Sequence, residues 1–166
     1  MHAVGIDIGG TKIAAGVVDA EGALLATTRR DTNPEEPSDI EDAVVDAIAE
    51  LRRVFEISAV GVAAAGFVDP TRSRVMFAPN IAWRDYPLRE ILEARLDLPV
   101  DVENDANAAG WGEFRFGAGR DVSDMVMLTV GTGLGGAIVL DGNLLRGAAG
   151  AAAEVGHMRV VPNGRA

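Results

Sequence analysis

The stretch "GIDIGGTK", Gly5 to Lys12, decides how this chain is read. Val4, Ile6 and Ile8 alternate with Ala3, Gly5 and Asp7, and Ile13, Ala15 and Val17 alternate after the glycine pair, so two strands flank a tight turn at Gly9-Gly10. A turn without side chains exposes its backbone N–H groups, and several of them pointing one way form a concave donor site for phosphate oxygens. Gly9, Gly10 and Thr11 suit that role, although Gly-Gly between strands is also simply a hairpin. Asp7 falls on the face opposite Ile6 and Ile8 and should point toward whatever the turn holds. A carboxylate beside a phosphate is repulsive unless a cation lies between them, so Asp7 implies magnesium, directly or through water. Lys12 is the only lysine among 15 Lys and Arg residues. It would supply a compact point charge near phosphates, and an exposed strand position accounts for it equally well.

The turn has an echo in "LTVGTGLGG", Leu128 to Gly136. Comparing "IDIGGTKIAAGVVDAEGALL" with "LTVGTGLGGAIVLDGNLL" shows one plan twice: apolar strand, glycine turn, second strand, Asp-containing turn, Leu-Leu. The separation is too long for a solenoid and fits an internal duplication that yields two related lobes. Gly131, Thr132 and Gly133 then form a second phosphate turn. Neither turn is a Walker loop, because G-x-x-x-x-G-K-[ST] is absent, and "GTGLGG" lies between strands, where a Rossmann helix start is not available.

Composition narrows the classes. With 166 residues, 48% hydrophobic content, 5% aromatics and 20 glycines, the chain can bury a core built from Val, Ile, Leu and Ala, which favours an α/β protein. A net charge of −10 argues against a phosphate-backbone or anionic-membrane grip, so neither nucleic acid nor membrane is an expected partner. No long apolar run and no signal-peptide layout is present, which makes a cytoplasmic setting the expectation. The absence of cysteine removes disulfides and thiolate metal sites.

Along the rest of the chain a third strand is expected near Ala23 to Thr28. A helix capped by Ser38 should run through Arg53, with Ile40, Ala43, Val44, Ala47, Ile48 and Leu51 on one face. "SAVGVAAAGFVD" reads as a strand, "YPLREILEARLDL" as a helix beginning at Pro87, and "PVDVEN" as a strand. That strand runs into a helix, "DANAAGWGEFRFG", whose first residues are Asn104 and Asp105. "DMVMLTV" and "GAIVLDGNLL" restart the strand pattern. The lobes are expected at 1–107 and 108–166, the second shorter than a self-sufficient core usually needs.

Four ordered segments, "GIDIGGTKIAAGVVD", "VENDANAAGWGEFRFGAGR", "TVGTGLGGAIV" and "EVGH", together resemble the ROK family (repressors, open reading frames, kinases), and within it the bacterial glucokinases of the sugar-kinase branch of the actin-like ATPases. The resemblance implies an actin-like ATPase (ribonuclease-H-like) α/β fold with two lobes, the second incomplete here. It also implies ATP- and Mg2+-dependent phosphorylation of a hexose, glucose first, at the entry to glycolysis, by two lobes closing to exclude water. Polyphosphate is an alternative donor. By the resemblance Asp105 is the general base for the sugar 6-hydroxyl, while from the residues alone Asn104 or Asp105 could equally be a helix cap. Sugar contacts are implied at Gly66, Asn80, Asn104, Asp105, Glu154 and His157. Glu154 and His157 lie three apart, which on a helical turn puts them on one side. The family's histidine at the position of His157 also ligates a structural zinc with cysteines of a following segment. This chain has no cysteine, so zinc is expected only where such a continuation is present. The resemblance further implies a homo-oligomer, a dimer or tetramer. Two other readings are a sugar-sensing ROK regulator, which would need a DNA-binding domain although only three residues precede Val4, and a noncatalytic portion of a kinase.

Overall fold

The structure is a computed structural model that describes residues 1–131, 133–159 and 161. The chain divides into two compact units, Met1–Asp105 and Ala106–Ala166.

The first unit is a five-stranded sheet in the order β3-β2-β1-β4-β8 with helices on one face. β1 (His2–Ile8), β2 (Lys12–Val18) and β3 (Leu24–Asp31) form an antiparallel meander, and β4 (Ile57–Ala64) and β8 (Val100–Asn104) add parallel to β1. Alternation sorts the two faces. Val4, Ile6, Ile8, Ile13, Ala15 and Val17 are buried, joined by Val60, Val62, Val100 and Val102. Against them pack α1 (Pro37–Leu51), through the six residues its helical spacing selects, and α2 (Leu88–Leu96), through Leu88, Leu92 and Leu96. The opposite face carries Gly5, Asp7 and Gly61, all exposed.

Ser38 does not cap α1. The helix begins two residues earlier than a Ser38 cap would set it, with Pro37 as its first residue and Glu36 at the N-cap position making no side-chain cap. Proline's fixed φ is already helical and its missing N–H costs nothing there, so it starts the helix ahead of the serine. "SAVGVAAAGFVD" is likewise not one strand. It breaks at Ala65-Gly66, and β5 (Phe67–Val68), β6 (Val75–Phe77) and β7 (Arg84–Tyr86) form a separate small antiparallel sheet.

The second unit contains α3 (Asp105–Phe116) from its second residue onward, and a three-stranded antiparallel sheet in the order β11-β10-β9. β9 is Met125–Val130, β10 Leu134–Leu140 and β11 Asn143–Leu144. This repeats the β3-β2-β1 meander, glycine turn included, as the duplicated sequence plan predicts. One sheet face meets α3 so closely that a Cβ on Gly110 would stand 2.3 Å from Ala137 Cβ. Among the described residues no helix is long and apolar enough to cross a membrane.

Candidate active site

Ligands of open α/β sheets gather beyond the C-terminal ends of parallel strands. In the first unit those ends belong to β1, β4 and β8. Their register sets Asp7, Ala63 and Glu103 in one row and Ile8, Ala64 and Asn104 in the next. Asp7 therefore stands at the same sheet end as Asn104, two strand spacings or about 10 Å across. Asp105 follows as the first residue of α3, with no loop between strand and helix. A carboxylate there is favoured by the positive end of the helix dipole. Asn104 Nδ2 donates to Asp105 Oδ1 at 3.1 Å and to the Gly66 carbonyl at 3.1 Å, which ties the acid to the β4–β5 bend.

Asp7 keeps an exposed surface, but partial burial of its carboxyl, reinforced by the negative charge of Asp105, pushes its pKa above the ordinary value of 3.8. Two acids close enough to sense each other at the end of a sheet form a cation-friendly pair.

The glycine turn lies beside them. The Gly9 N–H closes it on the Lys12 carbonyl at 3.0 Å, and Thr32 N–H donates to the Thr11 carbonyl at 2.9 Å. The N–H groups of Gly10 and Thr11 make no such backbone bond, which leaves them for a ligand among the described residues. Neither glycine has a positive φ, so the turn does not need them for a left-handed backbone. Gly10 faces Asn80: a Cβ there would lie 3.6 Å from Asn80 Cβ, at ordinary contact distance. Asn80 is exposed, on the loop between β6 and β7. Gly66 backs that loop, its would-be Cβ 2.5 Å from the Phe77 carbonyl oxygen. Asp7, Gly9, Gly10, Thr11, Gly66, Asn80, Asn104 and Asp105 are thus brought together within the first unit. Lys12 opens β2 as an exposed residue.

In the second unit Gly131 and Gly133 have open space where side chains would be, and Gly131 N–H closes their turn on the Gly133 carbonyl at 2.9 Å. Thr132 lies outside the described residues. Glu154 precedes and His157 ends a 3₁₀ turn (Val155–His157), with His157 Nε2 at 4.0 Å from Glu154 Oε2. The proximity expected from their spacing is present.

Metal fit differs between the two sites. Mg2+ keeps most of its ligands as water and nucleotide oxygens and needs only one or two carboxylates, so Asp7, lifted by burial and by Asp105, fits it. A structural zinc needs four ligands. With no cysteine and no cluster of three ligating side chains among the described residues, those around His157 do not fit one.

Sequence reasoning missed two contributors. Glu103 shares the Asp7 face and accepts the Asn104 N–H at 3.1 Å; its alternate position in "PVDVEN" was the available signal. Arg84, which has no motif around it, binds the Asn80 loop from beneath.

The sequence pattern of the ROK family matches residues 3–166. The chain is 55% identical over 97% of its length to a glucokinase of Streptomyces coelicolor and covers 50% of that protein. It is 29% identical over 98% of its length to the xylose repressor of Bacillus subtilis and covers 44% of it. The crystal structure of a ROK family glucokinase from Streptomyces griseus, in complex with glucose and AMPPNP, superposes with a TM-score of 0.91 at 54% identity, over 99% of this chain and 52% of that one. The fold is accordingly the actin-like ATPase fold of ROK kinases, present in part, and the chain spans about half the length of the curated relatives it matches. By sequence and by fold alike, this chain belongs to the ROK family.

Proposed function

We propose that the protein is an ATP-dependent hexose kinase that converts glucose to glucose 6-phosphate. The observation that carries this reading is the convergence of an acid pair, a glycine turn with unspent N–H groups and the Gly66 and Asn80 loops at the C-terminal ends of the parallel strands of one mixed sheet. Phosphoryl transfer asks for positioning and charge stabilisation, plus an acceptor for the proton of the attacking hydroxyl. Asp105 Oδ2 accepts the 6-hydroxyl proton while Asn104 holds Oδ1. The freed oxygen bonds to the γ-phosphorus as the bond to the β-phosphate oxygen breaks, and ADP leaves. Gly10 and Thr11, and in the second unit Gly131, Thr132 and Gly133, cradle phosphate oxygens, with Lys12 adding a positive charge. Asn80 and Asn104, and in the second unit Glu154 and His157, hold sugar hydroxyls, and the Gly66 backbone shapes the wall beside Asn104. Bound at Asp7, Mg2+ would supply neutralisation of the phosphate charge. The family likeness supports a cytoplasmic homo-oligomer.

A sugar-sensing regulator is the second reading, favoured by the likeness to the xylose repressor. Incubation with glucose and γ-labelled ATP separates the two. Label appearing in glucose 6-phosphate is expected. Sugar binding without transfer, in the protein at its full natural length, would replace the kinase with the regulator.

A further inference from the structure

We propose that Arg84 is a positioning residue for the hexose. Its guanidinium fixes the 78–83 loop so that Asn80 is held beside Gly10 of the glycine turn. This rests on the hexose-kinase reading above.

The loop is anchored from inside at intervals. Ala78, Ile81 and Trp83 are buried, while Pro79, Asn80 and Ala82 face outward. Turning so tightly between buried anchors forces carbonyl groups inward, where an unbonded acceptor is costly, and those of Ile81 and Trp83 also receive the Trp83 N–H at 2.7 Å and the Ala78 N–H at 3.3 Å. Arg84 meets them. A single nitrogen, Nη1, donates to the carbonyls of Trp83 at 2.6 Å, Ala78 at 2.8 Å and Ile81 at 3.2 Å. The guanidinium carbon lies 4.2 Å from the centre of the Phe77 ring, which fixes the plane of the fork. Phe77 is the residue paired with Arg84 across β6 and β7, so the clamp is closed by residues at both ends of the loop.

The loop so held is also tied to the phosphate turn. Ala82 N–H donates to the Pro34 carbonyl at 2.9 Å, and two residues earlier Thr32 N–H donates to the Thr11 carbonyl at 2.9 Å. One short segment, 32–34, therefore links the Asn80 loop to the glycine turn, and Asn80 lies next to Gly10, its Cβ 3.6 Å from where a Gly10 Cβ would stand. Releasing the carbonyls would let Asn80 drift relative to Gly10. With three carbonyls on one nitrogen and an aromatic ring on its face, Arg84 acts on the sugar through the loop.

The test uses Arg84→Met, which keeps the apolar stem and removes the donors, and Arg84→Lys, which returns donors and charge without the planar fork. Both are made in the protein at its full natural length. The readouts are hydrogen exchange across 78–83 without ligands and steady-state kinetics in glucose and in ATP. Loss of charge-assisted bonds predicts that Arg84→Met speeds exchange in 78–83 and raises the glucose KM by about tenfold or more, with the ATP KM and kcat nearly unchanged. Arg84→Lys should recover most of the loss. An unchanged glucose KM in Arg84→Met, or an equal rise in both KM values with faster exchange throughout the unit, would overturn the proposal. A wild-type protein that transfers no phosphate to glucose would instead sink the kinase reading itself.

Discussion

Gly66→Ala offers a perturbation whose size can be worked from the coordinates. An added Cβ would sit 2.5 Å from the Phe77 carbonyl oxygen and 3.0 Å from Ala78 Cα, about 0.9 Å short of ordinary contact at 3.4 Å. Both obstacles are backbone, so no rotamer change relieves them. The β4–β5 bend and the start of the Asn80 loop must separate by most of that distance, and the Gly66 carbonyl that receives Asn104 Nδ2 moves with them. Overpacking of this kind costs about 1–3 kcal/mol, and a displacement near 1 Å at a reacting centre costs about 10²-fold in rate. Gly61→Ala is the internal control: it lies on β4, where a Cβ meets nothing within 4 Å. Thermal unfolding and glucose kinetics on both variants make the comparison. Gly66→Ala should lower Tm by several degrees and kcat/KM by about two orders of magnitude, while Gly61→Ala leaves both near wild type. A Gly66→Ala protein as stable and active as the control would refute the close-packing argument.

Two further outcomes follow from carboxylates. Asp7 has a folded pKa above its unfolded value, so it binds its proton more tightly when folded and stability falls as pH rises through that interval. Asp7→Asn should therefore raise Tm at neutral pH while lowering kcat, and a variant that loses both would contradict this. Asp69 has the opposite sign. Burial raises its pKa, but the Thr71 hydroxyl and the N–H groups of Arg74, Ser73 and Thr71 outweigh it and bring the carboxyl down from 3.8 to about 2. For a partly exposed carboxyl we expect about 1 kcal/mol, present above pH 3.8 and lost as pH falls toward 2. Urea unfolding of Asp69→Ala should show a deficit of that size at pH 7 that closes below pH 3. A deficit independent of pH would assign the effect to something other than the charged turn.

Much of the fold could be read from alternation and glycine. Period-two burial identified β1, β2 and the repeated β9-β10 hairpin, and the six apolar positions of α1 emerged as its buried face because a 15-residue helix samples its period several times. The small β5-β6-β7 sheet was illegible because strands of two or three residues hold less than two periods. Gly66 was found by resemblance, yet its reason, a backbone in van der Waals contact with residues eleven and twelve positions away, exists only in three dimensions. Arg84 gave no signal at all, since the carbonyls it gathers carry no side-chain chemistry for a sequence to display.

The central claim is that the acid opening α3 accepts the proton of the sugar hydroxyl. Asp105→Asn preserves size and the hydrogen-bonding reach of Asn104 while removing the base. Glucose affinity, measured by equilibrium titration, should remain near wild type, and the single-turnover rate of phosphate transfer should fall about 10²- to 10⁴-fold. A rate within a few fold of wild type would remove Asp105 from the chemistry and leave the arrangement at the sheet end without its catalyst.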